Sequence, residues 1–135
     1  MNLINVVCGI IKKDAKIFIA RRAKHKSMAG KWEFPGGKVE NFETETQALK
    51  RELNEEFGMK VEVDEYLGSN IHTYHNFRIK LIAYKCEFIS ASFELTDHDK
   101  FEWISKENLN QIHMKLVLIH LIQIYLIRSW SLIMI

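Results

Sequence analysis

Apolar residues recur along the chain in short stretches with the two-residue spacing of β-strands. A first run at 3–11, a turn at Asp14-Ala15 and an alternating run at 16–20 predict a hairpin. Further strands are predicted at 32–34, 60–67, 77–88, 93–95 and 101–104. Pro35-Gly36-Gly37 is expected to break the chain after the third strand, because proline fixes φ and glycine permits positive φ.

One segment carries the signals of a helix instead. Thr44 is a good N-cap, and Gln47 three residues later completes a capping box. The helix is predicted from Glu45 to about Phe57, with Gly58 as a left-handed stop. Residues 105–107 can start a second, short helix. Strands and a helix in this order predict an α+β domain with a mixed sheet.

Composition narrows the class of protein. The 135 residues fit a single domain spanning 1–135, and 47% hydrophobic residues with 27% charged ones are typical of a globular chain. The formal charge of +2 is too balanced for a nucleic-acid polymer to be the expected partner. Cys8 and Cys86 lie in apolar runs and no secretion signal is evident, which predicts buried thiols and a cytoplasmic location.

The charges are nevertheless segregated along the chain. Basic residues crowd 12–31 and carboxylates crowd 40–56, an arrangement that suits a small polyphosphate bridged by metal. Two solvated faces of opposite sign are an equally good interpretation of charge alone. Glu52, Glu55 and Glu56 are more informative, since their spacing puts three carboxylates on one helical face. Oxygen-only ligands of this kind favour Mg²⁺ or Mn²⁺, whereas an exposed acidic helix paired with lysine and arginine is the alternative.

The spacing around those glutamates matches a known signature. Gly37, five residues, Glu43, seven residues, and then Arg51-Glu52-Leu53-x-Glu55-Glu56-x-Gly58-Met59 resembles the box of the Nudix hydrolase family. The runs 7–11, 18–22 and 28–37 look like its MutT branch. This resemblance implies an α/β/α sandwich, with a metal site between the glycine loop and the helix of a loop–helix–loop.

The same resemblance implies an activity. MutT-like enzymes use Mg²⁺ to hydrolyse a nucleoside triphosphate at the β-phosphorus, which yields a monophosphate and pyrophosphate. An 8-oxo-dGTP diphosphatase-like role in nucleotide-pool sanitation is the leading hypothesis. A CTP or methylated-dCTP pyrophosphohydrolase is the alternative, suggested by the stretch 61–67 and the pair Asp97-His98. A catalytically silent nucleotide-binding module is disfavoured by the intact set of three glutamates.

Individual roles also follow from the resemblance. It assigns metal binding to Gly36 (through its carbonyl), Glu52, Glu55, Glu56 and, from a loop, Asp97. Among these, Glu52, Glu55 and Glu56 are the catalytic residues, and Glu52 is expected nearest the attacking water. Substrate contacts are expected from Arg22, Phe34, Gly36, Gly37 and Phe77, although a solvated loop explains Arg22 and core packing explains Phe34 equally simply. Glu43, Arg51 and Gly58 are expected to be structural, with Arg51 leaning away from the three ligand carboxylates on the helical wheel and tying Glu43 or a neighbouring glutamate in place.

The chain departs from the family pattern in two places. Phe42 replaces the glycine that usually precedes the box glutamate, from which we expect reduced activity. The segment 114–135 is almost wholly apolar and lacks the usual Asn or Asp followed by Pro, since Leu118 falls near that position. It could be a buried helix or dimer interface, the product of a shifted reading frame or a truncated, divergent end, or a membrane tail. Its polar residues interrupt the ~20 apolar residues of a span, which disfavours the last reading.

Overall fold

The computed structural model describes residues 2–26, 29–73 and 75–108. These residues form seven strands, one α-helix and a final 3₁₀ turn. In chain order they are β1 (Leu3–Lys13), β2 (Lys16–Arg22), β3 (Trp32–Glu33), β4 (Gly36–Lys38), α1 (Glu45–Phe57), β5 (Met59–Thr73), β6 (Arg78–Ala91), β7 (His98–Ser105) and the 3₁₀ turn (Lys106–Asn108).

The strands form one mixed sheet, as the sequence predicts, with β1 at its centre. Its main path runs β3-β2-β1-β6-β5, while β4 pairs with β1 and β7 pairs with β2. β1 lies parallel to β6 over ten residue pairs, from Leu3 opposite Arg78 to Lys12 opposite Glu87. The other pairings are antiparallel. The predicted α+β class is confirmed.

The helix has the predicted bounds and the predicted ends. The Thr44 hydroxyl accepts a hydrogen bond from the Gln47 amide at 3.2 Å, and the Gln47 side chain accepts one from the Thr44 amide at 2.9 Å. Gly58 closes the helix in the left-handed region, at φ 58°. The buried apolar face of α1 comprises Ala48, Leu49, Leu53 and Phe57. This face packs on one side of the sheet in a core that includes Val7, Phe18 and Met59.

Two predictions about strands are wrong. Pro35-Gly36-Gly37 does not break the sheet, because Gly36–Lys38 forms β4 and pairs with Val6–Cys8. Residues 93–95 are not a strand, because Phe93 adopts a left-handed φ of 58° that extended backbone excludes. The Phe93 ring instead lies at 4.4 Å, centroid to centroid, on the ring of Phe101.

A second apolar cluster covers the other face of the sheet. It contains Cys8, Ile10, Ile17, Ile19, Phe34, Leu81, Ala83 and Ile104. A second helical layer of the expected sandwich, and the whole apolar segment 114–135, lie outside the described residues. Within 2–26, 29–73 and 75–108, no helix has both the length and the apolar character needed to cross a membrane.

Candidate active site

The glycine strand β4 lies directly against the acidic helix. A methyl group on Gly37 would overlap the Glu52 carboxyl group, and one on Gly36 would overlap the backbone carbonyl of Val7. The antiparallel ladder that places Gly37 opposite Val7 holds the strand in this position. Gly36 therefore has to be glycine, because a Cβ there would meet backbone, whereas a Cβ at Gly37 would displace the end of the flexible Glu52 side chain.

The three box glutamates occupy different environments. The Glu55 side chain is 58% exposed and that of Glu52 only 18%. Glu56 is buried at 5% exposure, and its Oε2 has no hydrogen-bond partner within 2–26, 29–73 and 75–108. A buried carboxylate oxygen without a partner costs free energy unless a cation or donor reaches it.

Burial shifts the proton affinity of the two inner carboxyl groups. The pKa of Glu56 is raised to about 9, chiefly by burial and also by the nearby charges of Glu33, Glu52 and Asp97, while Arg22 acts in the other direction. The pKa of Glu52 is also raised, chiefly by burial, with Arg51 acting in the other direction. Carboxyl groups short of compensating positive charge are what a divalent cation relieves.

Arg51 contacts more carboxylates than the sequence suggests. Its guanidinium donates two hydrogen bonds to Glu43, at 3.0 and 2.6 Å. The expectation that it leans away from the other glutamates is wrong, because Nη1 also lies 3.1 Å from Glu52 and 3.3 Å from Glu55. The flexible arginine stem reaches back over its own helical turn. The hydrogen bonds from Arg51 lower the pKa of Glu43 to about 2.

Asp97 lies close to this cluster despite its distance in sequence. Its charge contributes to the raised pKa values of both Glu52 and Glu56. Its backbone carbonyl accepts a hydrogen bond from Ala23 at 2.9 Å, and its Oδ1 lies 3.2 Å from the ammonium of Lys26. The structure thus brings Gly36, Gly37, the box glutamates and Asp97 to one place.

Glu33 belongs to the site although the sequence pattern did not single it out. Its Oε1 lies 3.1 Å from His98 Nε2 and 3.4 Å from Arg22 Nη1. The His98 ring is buried and stacks on Phe57, with 5.0 Å between ring centroids. The available signal was a carboxylate three residues before the first of the two glycines, next to a loop of the kind that often carries binding residues.

Two predicted substrate residues are not brought to the carboxylates. Phe34 is 1% exposed inside the cluster on the opposite face of the sheet, so its ring cannot meet a base in this arrangement, and the core alternative explains its position. Phe77 precedes β6 by one residue and stands five residues before Ile82, the partner of Val7. At about 3.3 Å per residue, that is roughly 17 Å along the strands from the level of Gly37.

The donors present fit a hard divalent cation. They are carboxylate and backbone oxygens, the ligands that Mg²⁺ and Mn²⁺ prefer. One oxygen of the buried Glu56 has no partner among the described residues, which is a defect that a cation would repair. In that part of the chain, however, no three His, Cys, Asp or Glu side chains already stand at metal-binding separation. Arg51 pairs with Glu52 and Glu55, and Lys26 pairs with Asp97, so a cation bound by these three carboxylates would have to replace those ion pairs.

Comparison with known proteins defines the class. The family model for the NUDIX domain matches residues 6–122. With that match the chain belongs to the Nudix hydrolases, a family whose members generally use divalent metals and act on nucleotide substrates.

Particular relatives lie within the MutT-like part of the family. CTP pyrophosphohydrolase of Escherichia coli (strain K12) is 39% identical over 111 residues, which cover 82% of this chain and 82% of the relative. The 8-oxo-dGTP diphosphatase of Haemophilus influenzae is 36% identical over 105 residues, 77% of this chain and 67% of that protein. The solution structure of the E. coli ORF135 protein superposes with a TM-score of 0.81 at 33% identity, covering 98% and 91% of the two chains.

Proposed function

We propose that the protein is a Mg²⁺-dependent nucleoside triphosphate pyrophosphohydrolase of the MutT type. It would convert a (deoxy)nucleoside triphosphate and water into the monophosphate and pyrophosphate. The observation that carries the proposal is the buried Glu56 carboxyl group, which has an oxygen without a hydrogen-bond partner among the described residues and lies near the charge of Glu52. Such a buried group is uncommon in folded proteins, and binding of a metal or ligand at a functional site accounts for it.

The residues that would hold Mg²⁺ are Glu52, Glu55, Glu56, the Gly36 carbonyl and Asp97. When bound, Mg²⁺ supplies an acidified water and neutralises the leaving pyrophosphate. Glu52 is the carboxylate assigned to the attacking water, and Gly37 keeps the backbone close enough for that carboxylate to be held. Arg51 stays anchored on Glu43 by two hydrogen bonds while its Nη1 gives up Glu52 and Glu55.

Arg22 is a cation near the buried Glu56. Its guanidinium lies on Glu33 at 3.4 Å, and its charge lowers the pKa of Glu56. An arginine held in this way can also form two parallel hydrogen bonds to a phosphate. Arg22 is therefore proposed to bind the triphosphate.

Two proposals concern which nucleotide base the enzyme accepts. The leading proposal is an 8-oxo-dGTP diphosphatase-like activity, supported by the relative from H. influenzae. The alternative, a CTP or methylated-dCTP pyrophosphohydrolase, is favoured by the relative that is 39% identical over 82% of the chain. The intact carboxylate set disfavours a silent nucleotide-binding module.

A substrate panel with Mg²⁺ tests the proposal. CTP, dCTP, 5-methyl-dCTP, dGTP and 8-oxo-dGTP are each incubated with enzyme, and pyrophosphate and inorganic phosphate are measured separately. Pyrophosphate as the product supports the proposal, whereas inorganic phosphate, or no turnover of any triphosphate, contradicts it. In ¹⁸O-water the label should enter pyrophosphate, because attack at the β-phosphorus leaves the monophosphate unlabelled.

We also propose the setting in which the enzyme works. It is a cytoplasmic protein without a nucleic-acid polymer or membrane partner, supported by the balanced charge of +2 and by two buried free thiols. A homodimer is also proposed, because the segment 114–135 is almost wholly apolar.

A further inference from the structure

In the part of the chain that the structure describes, three cations contact the carboxylates of the site, and they are held very differently. Arg51 is fixed by two hydrogen bonds to Glu43. Arg22 is part of β2 and lies on Glu33 at 3.4 Å. Lys26 lies in a loop, pairs with Asp97 at 3.2 Å, and keeps 37% of its side chain exposed. Lys26 is therefore the cation that can leave its partner without disturbing the fold.

The backbone ties Lys26 to Asp97 as one unit. The Lys26 amide donates to the Ala23 carbonyl at 3.1 Å, and the Ala23 amide donates to the Asp97 carbonyl at 2.9 Å. The loop therefore stays beside Asp97 when the ion pair between the side chains opens. The flexible lysine stem can then redirect the ammonium over a short distance without moving the backbone.

We propose that Lys26 exchanges partners when the substrate binds. Before the metal–nucleotide complex binds, the Lys26 ammonium pairs with Asp97. When Asp97 turns to the metal, the ammonium moves to a phosphate oxygen of the nucleotide. This inference rests on the proposed function. An ammonium and a divalent cation compete for the same carboxylate oxygen, since each needs its lone pairs and they repel each other. A released lysine beside a triphosphate is a compact positive charge that any phosphate oxygen can accept.

The proposal predicts effects of opposite sign on two ligands. Lys26→Gln should tighten binding of Mn²⁺ alone about threefold, the size expected for losing one partly exposed competing ion pair. The same variant should raise the KM for the nucleotide about fivefold, with kcat within about twofold, because the lost contact acts on binding. General damage to the loop would instead weaken both ligands.

The experiment measures free Mn²⁺ by electron paramagnetic resonance in the absence of nucleotide, together with steady-state kinetics for CTP and 8-oxo-dGTP. Lys24→Gln is the matched control, since it removes the same charge from the same loop at an exposed position. Lys26→Arg should keep both wild-type values. In an Asp97→Asn background, Lys26→Gln should no longer change the Mn²⁺ affinity beyond the change seen with Lys24→Gln.

Equal Mn²⁺ affinities for Lys26→Gln and Lys24→Gln, or an unchanged KM, would overturn the exchange. A wild-type protein that hydrolyses no triphosphate would contradict the proposed function. The Mn²⁺ titrations of the single and double variants would still decide whether Lys26 and a metal compete for Asp97.

Discussion

Glu56 shows how one residue can be unfavourable for the fold and useful for the site. Its carboxyl group is buried, and burial raises its pKa to about 9. At neutral pH and without a nearby cation, this group therefore holds a proton. Binding of a divalent cation must release that proton, which couples metal affinity to pH.

The shift in Glu56 predicts a pH-dependent stability. The folded chain keeps the proton up to about pH 9, whereas an unfolded glutamate loses it near 4.5, so the contribution to stability is lost as pH rises through this window. Glu56→Gln removes the effect. With EDTA present, its Tm should exceed that of wild type by at least about 3 °C at pH 9 and should not exceed it at pH 5.

The readout is a thermal melt followed by circular dichroism at several pH values. Glu55→Gln, at the exposed position one residue earlier, is the matched control and should follow wild type. Added Mg²⁺ should stabilise wild type and not Glu56→Gln. If the difference in Tm between wild type and Glu56→Gln is the same at every pH, the Glu56 carboxyl group does not cause the pH dependence of stability.

A second residue prediction concerns chemistry. Glu52→Gln keeps the size of the side chain and removes the charge assigned to the attacking water. Its kcat for pyrophosphate release should fall at least ~100-fold at saturating nucleotide, the scale of losing a positioned acid–base or electrostatic group. Glu62→Gln, on the exposed side of β5, should leave kcat unchanged. A Glu52→Gln enzyme within a few-fold of wild type would remove Glu52 from the mechanism.

The sequence predicted the part of the site that is local. The three box glutamates lie within five residues, so helical periodicity alone puts them on one face. Glu33 and His98 are 65 residues apart, and their contact depends on how β2 pairs with both β3 and β7. No periodic pattern in the chain reports a contact of that kind.

Among the helices and strands, elements that depend on local signals were predicted correctly, whereas an element that depends on distant pairing was not. The bounds of α1 were predictable because the capping box and Gly58 act within one turn. β4 was not, because local signals at Pro35-Gly36-Gly37 favour a break while a ladder to the distant β1 makes a strand. Tertiary pairing outweighs local propensity in short strands.

The two glycines that flank the acidic helix predict separable defects. Gly37→Ala would push on the flexible Glu52 carboxyl, which can move, so stability should change little while kcat falls at least ~10-fold. Gly58→Ala would place a side chain at positive φ and against Ser92, so the free energy of unfolding should fall by about 1–2 kcal/mol.

Urea unfolding and pyrophosphate release are measured on both variants. Together they test whether one glycine affects catalysis and the other affects stability. At temperatures where Gly58→Ala remains folded, its kcat should lie within about twofold of wild type. A Gly37→Ala enzyme with normal kcat would show that close contact between β4 and Glu52 is not needed for catalysis.

At the scale of the whole molecule, the segment 114–135 is almost wholly apolar in sequence. The match to the NUDIX domain continues to residue 122, which favours a native segment over a shifted frame. We expect a homodimer, because a large exposed apolar surface promotes association. Light scattering after size-exclusion chromatography should give twice the mass of 15.9 kDa.

A monomer would contradict the dimer and favour burial within one chain. The reading-frame alternative has its own check in the gene. Translation of the other two frames from about codon 114 should show no Asn or Asp followed by Pro. If such a motif were present, the segment would be the product of a frame shift.

The central position of β1 has a consequence for synthesis on the ribosome. β1 is made first, yet its parallel partner β6 ends at Ala91, and the first pair of their ladder, Leu3 and Arg78, is 75 positions apart (78 minus 3). At ~5–20 residues per second, the apolar centre of the sheet waits roughly 5–20 s for its neighbour. Proteolysis of ribosome-stalled chains should therefore show protection of β1 only once β6 has left the exit tunnel.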